Sequence, residues 1–485
     1  EVMSIELKDS SLLEPRALIA GEWVAGASQA NVINPATGEV VARAADLGVD
    51  EMHRAIDAAY AAGPAWASKT AKDRADILMR WHDLMMENQE DLARILTAEM
   101  GKPIVESRGE IAYGASFIRW FAEEARRIYG DIIPAPMADR RMMVMRQPIG
   151  VVGSITPWNF PNAMIARKVA PALAAGCAFV GRPAEDTPLS ATAMAVLAQR
   201  AGVPDGVLNI VTGTDAAGLG LELCTNFKVR KLTFTGSTEV GRILMRQCAQ
   251  NITKLSLELG GNAPFIVFDD ADVDAAVDGA IAAKFRNGGQ TCVCANRIYA
   301  QAGIYDAFVG RLAEKVAALQ VGPGHNDQTQ IGPLINTDAV AKVQRHLDDA
   351  LGNGARVLTG GKAHALGGLY FEPTVIADVG EGMALLNEET FGPLAPVARF
   401  NTEEEAITQA NDTEFGLAAY FFSRDLSRMW RVSEALEYGI VGVNSGVVST
   451  AEAPFGGVKA SGLGREGSRY GIEDFLEMKY ICVTI

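Results

Sequence analysis

The chain has 485 residues, of which 48% are hydrophobic and 21% are charged, and its formal net charge is -15. This length is too great for one hydrophobic core, so at least two domains are expected. The acidic balance argues against nucleic acid or an anionic membrane surface as partner, because both attract basic patches, and no run of about twenty apolar residues predicts a membrane span.

The first predicted elements are helices. Hydrophobic side chains recur with helical spacing near residues 50–62, 72–100 and 105–129. Short apolar runs then alternate with helical patterns. Strands are predicted at 151–156, 177–180, 207–211, 231–234 and 265–268, and helices at 162–175, 187–201, 215–224 and 239–250. This order predicts a parallel, doubly wound sheet with helices on both faces.

A second α/β series is predicted from residue 272 to about 443. Its helical patterns lie near 272–285, 305–319 and 338–351. Composition places a domain boundary near Gly260 and Gly261. Because no Pro/Gly/Ser-rich linker separates the two series, the domains are expected to pack closely.

The most informative segment reads FRNGGQTCVC and runs from Phe285 to Cys294. It places Cys292 in a polar, glycine-flanked loop after a helical pattern. A substrate can approach a thiol in such a loop, and the thiol can ionise there more easily than in an apolar core. Arg286 adds a positive charge six positions upstream.

Two further motifs contain residues that could assist a nucleophile. Glu258 alternates with leucines at the end of a predicted strand, which suits a general base with a raised pKa; a solvated glutamate is the alternative. Asn159 lies between two prolines, and its amide could donate a hydrogen bond to an oxyanion; an ordinary turn residue is the alternative.

Two segments are compatible with a nucleotide, although neither is diagnostic. Ser237 follows Gly236 at a predicted strand-to-helix junction, where backbone N–H groups suit a pyrophosphate, but an ordinary helix cap explains the same residues. Glu389 could bind ribose hydroxyls while Phe391 packs on a planar ring, or both could belong to a polar loop. The segment around Ser237 is not the usual G-x-G-x-x-G fingerprint, and Gly218-Leu219-Gly220 does not complete one either.

No metal site is expected from the cysteines and histidines. Cys292 and Cys294 form a single C-x-C pair, and the five histidines do not cluster. Cys294 could form a reversible disulfide with Cys292 or pack in the loop wall, and both interpretations stay open. The dispersed cysteines favour a reducing compartment, so the expected localisation is cytoplasmic.

Taken in order, the motifs resemble the aldehyde dehydrogenase superfamily over nearly the whole chain. The matching segments are PWNFP (157–161), LELGG (257–261), GQTC (289–292), ETFGP (389–393) and PFGG (454–457). The resemblance implies an α/β fold with a dinucleotide-binding domain (1–127 and 148–260), a catalytic domain (261–460) and oligomerisation segments (128–147 and 461–485). It also implies a homo-oligomer, either a dimer or a tetramer.

The resemblance implies a role for each motif. Cys292 would attack an aldehyde, and the Asn159 side chain with the Cys292 backbone N–H would hold the oxyanion of the thiohemiacetal. After hydride loss to a nicotinamide, Glu258 would activate water to hydrolyse the thioester. Residues expected to contact the cofactor are Thr156, Pro157, Trp158, Lys168, Arg182, Glu185, Gly213, Ser237, Glu389 and Phe391.

Within the superfamily the chain resembles the succinate-semialdehyde dehydrogenase branch. That resemblance assigns Arg167 and Arg286 to the distal carboxylate of a small anionic aldehyde, and it places Ser449 and Thr450 nearby. Glutarate semialdehyde or a sulfonate-bearing aldehyde could use the same arginines. Some members of the branch use the second cysteine, here Cys294, as a redox switch.

The cofactor preference and the reaction class each keep an alternative. NAD is the first expectation because Glu185 would repel a 2′-phosphate, whereas Arg182 could cradle one, so NADP stays open. A cysteine hydrolase or acyltransferase would use Cys292 and Glu258 without hydride transfer. A catalytically silent member of the fold is a third interpretation, which the presence of Asn159, Glu258 and Cys292 disfavours.

Overall fold

Two large sheets organise the computed structural model, which describes residues 2–485. The first sheet has eight strands. In spatial order they are β19 (Gly462–Leu463), β11 (Lys254–Glu258), β10 (Val229–Thr235), β7 (Val151–Ile155), β8 (Phe179–Arg182), β9 (Leu208–Ile210), β1 (Ala17–Ile19) and β2 (Glu22–Val24).

The second sheet has seven strands, all from the later part of the chain. In spatial order they are β14 (Arg356–Thr359), β15 (Thr374–Ala377), β16 (Leu394–Phe400), β13 (Ala295–Gln301), β12 (Ala263–Val267), β17 (Ala418–Phe422) and β18 (Ile440–Val443). Two smaller sheets pair β3 (Ser28–Ile33) with β4 (Val40–Asp46), and β20 (Leu476–Thr484) with β6 (Arg140–Pro148) and β5 (Asp131–Ile133).

Helices connect the strands and cover the sheets. They are α1 (Val49–Ser68), α2 (Ala71–Glu87), α3 (Gln89–Met100), α4 (Ile104–Glu124), α5 (Ala163–Ala175), α6 (Leu189–Ala201), α7 (Ala216–Thr225), α8 (Thr238–Cys248), α9 (Val273–Phe285), α10 (Tyr305–Ala317), α11 (Thr337–Gly352), α12 (Ala384–Asn387), α13 (Glu403–Asn411) and α14 (Leu426–Ala435). None of the helices within residues 2–485 combines the length and apolarity needed to cross a membrane.

The predicted doubly wound architecture is confirmed. In the first sheet β11, β10, β7, β8 and β9 run parallel, and antiparallel strands occur only at its edges. One hydrophobic core packs α2 to α6 on one face, and another packs α1, α7 and α8 on the other. The second sheet likewise has a core on each face, one with α9 and α10 and one with α11, α13 and α14.

One predicted helix is wrong in extent. The pattern over residues 72–100 is two helices, because α2 ends at Glu87 and α3 begins at Gln89. Asn88 leaves the helical region with ψ 19°, and its side-chain amide donates a hydrogen bond to the Leu84 carbonyl. The side chain thus competes with the helical backbone, as asparagine commonly does at helix ends, while the apolar spacing continues across the break.

The two segments predicted for oligomerisation meet in one sheet, but not over their full lengths. β20 pairs antiparallel with β6 through nine residues, and β5 extends that sheet. Residues 462–463 instead form β19 at the edge of the first sheet. The proposed domain boundaries stay predictions.

Candidate active site

The carboxyl ends of three neighbouring parallel strands create the site. β7 runs into Thr156 and the Pro-Trp-Asn turn, β10 runs into the α8 N-terminus, and β11 ends at Glu258. In parallel sheets, the crevice beyond these strand ends is the usual place for ligands. Because Glu258 is the last residue of β11, it lies at the same edge of the sheet as Asn159, which follows β7.

The Cys292 loop reaches this edge through a tight reversal after α9. Asn287, Gly288 and Gly289 all have positive φ, at 51°, 62° and 82°. A Cβ on Gly289 would lie 2.2 Å from the Gly392 carbonyl oxygen, so a side chain there has no room. This backbone path demands glycine and brings the following residues, up to Cys292, back toward the strand ends.

Asn159 is fastened to the same loop by two hydrogen bonds. Its Nδ2 donates to the Gln290 carbonyl at 3.1 Å, and its own carbonyl accepts from Asn287 Nδ2 at 3.0 Å. An amide nitrogen carries two hydrogens, so one hydrogen of Asn159 Nδ2 is left over. Asn159 is buried, and the loop fixes it close to the thiol-bearing backbone.

A cavity of about 340 Å³, called the front cavity below, opens at Cys292. It is lined by predicted cofactor residues Pro157, Trp158, Ser237, Glu389 and Phe391, by Asn159 and Cys292, and by further residues that include Gly236, Gly260 and Lys342. The Trp158 and Phe391 rings pack edge to face with centroids 5.6 Å apart. The two rings, which are nearly perpendicular, give this cavity an aromatic section of wall.

The front cavity fits the expected nicotinamide dinucleotide. A Cβ at Gly260 would stand 3.0 Å from Glu389 Oε2, so the glycine keeps this wall open. Glu389 accepts the Gly261 N–H at 3.2 Å, and burial raises its pKa to about 7. Ser237 Oγ caps α8 by accepting the Val240 N–H, so the capped-helix interpretation is also true of this residue.

A second cavity of about 290 Å³, called the rear cavity below, is lined by Phe160, the residue that follows Asn159. It is lined by Lys102, Glu106, Gly109, Glu110, Tyr113, Phe160, Arg286 and Ser449. Two of its four charged residues, Glu106 and Glu110, lie one turn apart on α4. The Phe160 ring lies between two cations, with Lys102 Nζ 3.6 Å and the Arg286 guanidinium 5.3 Å from its centroid.

The two predicted substrate arginines differ in their partners. Arg167 is 2% exposed, forms an ion pair with Glu466, and stacks 4.2 Å from the Phe455 ring centroid. Arg286, in contrast, forms no ion pair or hydrogen bond with any side chain or backbone group of residues 2–485. Its guanidinium therefore has no direct partner at the wall of the rear cavity, although it lies close enough to Glu106 to lower the pKa of that carboxyl group.

Glu258 is a buried carboxyl group with unusual surroundings. Neither of its oxygens has a hydrogen-bond partner within the described chain. Burial and then repulsion by Glu466 raise its pKa well above the ordinary value, against the attraction of Arg167, Lys168 and Arg465. A Cβ at Gly456 would stand 2.8 Å from Glu258 Oε1, so that glycine makes room for the carboxyl group.

Lys168 lies behind the cavity wall. Its Nζ donates to Thr235 Oγ1 and to Glu466 Oε1, both at 2.5 Å, and the residue is fully buried. Because Arg167 and Lys168 share Glu466, one carboxylate offsets two cations beside Glu258. The direct cofactor contact predicted for Lys168 stays a prediction.

The two cysteines of the loop are both free thiols. Burial raises the pKa of Cys292 to about 12, while Arg167 and Arg286 lower it. Cys294 is buried, and its Sγ lies 3.3 Å from Lys284 Nζ. Its packing against Lys284 agrees with the loop-wall interpretation, and the redox role stays a prediction.

The remaining predicted site residues line neither the front nor the rear cavity. Arg182 donates to Glu185 at 2.8 Å and to the Gly213 carbonyl at 2.9 Å, which joins three predicted cofactor residues. The Thr156 N–H donates to the Arg182 carbonyl at 3.2 Å. Thr450 is exposed, and its hydroxyl bonds to Glu452 rather than lining the rear cavity.

Sequence reasoning missed Glu466 and the residues of α4. Glu110, which accepts the Asn162 and Ala163 N–H groups, is 3% exposed. Polar residues at 106, 110 and 113 recur at helical spacing along a mostly apolar helix. That recurrence of polar residues on a buried face could have indicated a site. Glu466 follows a glycine-rich stretch and carries no comparable local signal.

The chain is similar to known proteins over nearly its whole length. The model of the "Aldehyde dehydrogenase family" matches residues 23–481. The succinate-semialdehyde dehydrogenase (NADP(+)) of Escherichia coli is 61% identical over 483 residues, covering 99% of this chain and 100% of that protein. A glutarate-semialdehyde dehydrogenase of Pseudomonas aeruginosa is 59% identical, with 99% of each chain covered. A 3-sulfolactaldehyde dehydrogenase of Pseudomonas putida is 58% identical, again with 99% of each covered.

Solved structures are also similar to this chain over nearly its whole length. The crystal structure of an "E. coli NADP dependent enzyme" has a TM-score of 0.98 and 60% identity, covering 99% of this chain and 100% of that one. The betaine aldehyde dehydrogenase of Staphylococcus aureus in complex with NAD+ has a TM-score of 0.95 and 37% identity, covering 97% of this chain and 95% of that one.

Proposed function

The chain belongs to the aldehyde dehydrogenase family, and we propose that it oxidises a small aldehyde with an anionic group at its far end, with NAD or NADP as oxidant. Succinate semialdehyde is the first candidate substrate. The observation that carries this proposal is the unpartnered Arg286 guanidinium at the rear cavity. Arg286 is half-buried at the cavity wall, and a guanidinium without a partner there can form paired hydrogen bonds with a substrate carboxylate.

Cys292 carries the substrate through the reaction. Its sulfur bonds to the aldehyde carbon, and the thiol proton passes to the Glu258 carboxylate. The carbonyl oxygen becomes an oxyanion, to which the free hydrogen of Asn159 Nδ2 and the Cys292 backbone N–H donate. Because the tetrahedral carbon releases hydride far more readily than an aldehyde does, loss of hydride leaves a thioester on Cys292.

A nicotinamide dinucleotide supplies the hydride acceptor. Trp158, Ser237, Glu389 and Phe391 would hold it, since they line the front cavity. Glu389 is suited to ribose hydroxyls because a carboxylate accepts two hydrogen bonds at once.

Glu258 releases the thiol proton to solvent after the hydride has left, and its carboxylate then acts as general base for hydrolysis. It takes a proton from water as the water oxygen bonds to the thioester carbon, and the carbon–sulfur bond breaks to release the acid and the Cys292 thiolate. The raised pKa of Glu258 suits this role, because a base works best when its pKa lies near the working pH.

Arg286 and Ser449 bind the far end of the substrate in this proposal. A guanidinium matches a carboxylate through two parallel hydrogen bonds, and the Ser449 hydroxyl lines the same cavity. Arg167 contributes at longer range, since Glu466 already occupies its Nε. Glutarate semialdehyde and a sulfonate-bearing aldehyde share this chemistry and stand as alternatives.

The cofactor preference follows from Arg182 and Glu185. A 2′-phosphate would compete with Glu185 for the Arg182 guanidinium, which favours NAD, while the E. coli relative named for NADP(+) favours the opposite. NAD stays our first candidate.

We also propose a homo-oligomer, because Ile132, Met478 and Ile485 expose 82%, 74% and 69% of their surface on or beside the three-stranded sheet. A cytoplasmic location is part of the same proposal, since the six cysteines are free.

The test is a steady-state matrix of substrates and cofactors. Succinate semialdehyde, glutarate semialdehyde, a sulfonate-bearing aldehyde and uncharged butanal are each assayed with NAD and with NADP by absorbance of the reduced nicotinamide. The proposal predicts that kcat/KM is highest for an anionic aldehyde. Equal values for butanal, or ester hydrolysis with no aldehyde oxidation under any condition, would contradict it.

A further inference from the structure

Tyr113 places a hydroxyl group in the rear cavity without giving it a partner. The residue lies on α4, and its Oη is buried with no hydrogen bond to any group of residues 2–485. Tyrosines that bury this group usually bond it. An unsatisfied buried hydroxyl costs stability, so its position in the cavity requires an explanation.

The neighbours of Tyr113 explain why no partner is found inside the protein. Arg167 and Ser449 lie close enough to lower the pKa of Tyr113, although burial has the larger effect and raises it. An arginine side chain has only donors, so it cannot accept the phenol proton. The Ser449 hydroxyl is the neutral acceptor nearest to hand, and no anion of residues 2–485 is hydrogen-bonded to the Tyr113 hydroxyl.

None of the nearby carboxylates is hydrogen-bonded to the Tyr113 hydroxyl, although Oε2 of Glu106 has no partner either. Glu110 is occupied by Lys102 at 2.6 Å and by two backbone N–H groups. Glu106 accepts the Asn287 N–H at 2.8 Å. Glu466 is taken by Arg167 and Lys168. Each carboxylate near Tyr113 already has its own donors.

We propose that Tyr113 is a specificity-determining residue whose hydroxyl donates a hydrogen bond to the far anionic group of the substrate. A carboxylate or sulfonate offers more acceptor sites than Arg286 and Ser449 can fill. Tyr113 supplies a further donor from a different element, α4, and so selects anionic aldehydes over uncharged ones of similar length. The inference rests on the proposed function and deepens it.

The variant Tyr113→Phe removes only the hydroxyl oxygen, so it keeps the ring contact with Phe117, whose centroid is 4.8 Å away. The measured quantity is the ratio of kcat/KM for the best anionic aldehyde to kcat/KM for butanal. We expect this ratio to fall roughly 10- to 100-fold, mainly through KM, as for a lost hydrogen bond to a charged group. Tyr60→Phe, at an exposed tyrosine of α1, is the matched control and keeps the wild-type ratio.

Binding of the acid product gives a second measurement without turnover. Titration calorimetry with succinate should show roughly 10-fold weaker binding or more in Tyr113→Phe than in the wild type. If the wild type prefers an anionic aldehyde and Tyr113→Phe retains both the ratio and the succinate affinity, this inference is wrong and the proposed function stands. If the wild type shows no preference for any anionic aldehyde, the proposed function itself is wrong.

Discussion

The front and rear cavities are lined by the adjacent residues Asn159 and Phe160, respectively, but different elements of the fold form them. The front cavity combines strand ends, an aromatic pair and a capped helix, and almost all of its chemistry follows from the parallel sheet. The rear cavity takes its polar groups from α4 and the loop after α9, and it contains Arg286 without a partner. In the proposed function, the front cavity determines the reaction class and the rear cavity determines which aldehyde is used.

The two arginines near Cys292 differ in the same way as the two cavities. Arg167 and Arg286 both act on the pKa of Cys292, yet only Arg167 has a carboxylate partner. A paired buried cation contributes to the integrity of the site, whereas an unpaired one is available to a ligand. The two arginines, although predicted for one task, should respond differently to substitution.

The largest expected effect is the loss of turnover when the Cys292 thiol is removed. Cys292→Ala should lower kcat for every aldehyde by at least about 10⁴-fold, because no other group can hold the substrate covalently. Cofactor binding, followed by fluorescence titration, should persist. Cys482→Ala, at the exposed thiol, is the control with normal turnover. Residual oxidation in Cys292→Ala close to the wild-type rate would remove the proposed nucleophile.

Arg167→Met should act on stability. It leaves Glu466 buried with one cation instead of two, and breaking a buried pair typically costs about 3–5 kcal/mol in the free energy of unfolding. Thermal unfolding would show a lower midpoint, and Arg167→Met combined with Lys168→Met and Glu466→Gln, which removes all three charges, should recover part of the loss. An unchanged midpoint in the single variant would show that the ion pair adds no stability.

The reactivity of Cys292 toward iodoacetamide should rise with pH. Burial raises the pKa of the thiol to about 12, so the thiolate is a minor species at neutral pH. Its fraction, and hence the alkylation rate, grows about tenfold per pH unit between about pH 7 and 9. Mass spectrometry of the Cys292 peptide gives the rate. A plateau below about pH 8 would mean that the pocket lowers this pKa.

The smallest expected effect compares adjacent hydroxyls. Ser449 lines the rear cavity, whereas Thr450 is exposed and bonds to Glu452. Ser449→Ala should lower the preference for succinate semialdehyde over butanal by about 3- to 10-fold, as for one hydrogen bond, and Thr450→Ala by less than about 2-fold. A larger loss for Thr450→Ala would reverse the assignment of the two residues.

The difference between the cavities also explains what the sequence could predict. Glu258, Asn159 and Cys292 each follow a regular element, and parallel strands bring such ends together. Glu466 pairs with residues 298 and 299 positions away, and no local pattern specifies that contact. The partners of Arg286 and Tyr113, or their absence, depend on how α4 packs against the Cys292 loop, which spacing alone does not determine.

The most direct test of the division between the cavities is Arg286→Ala, assayed with succinate semialdehyde and with butanal. The unpartnered guanidinium predicts that the kcat/KM ratio of these substrates falls by about 100-fold or more, since an anion loses its main partner. Arg242→Ala, which removes a half-exposed surface arginine paired with Glu414, is the control. Equal losses for both substrates in Arg286→Ala would contradict the account, because Arg286 would then serve the reaction rather than the choice of substrate.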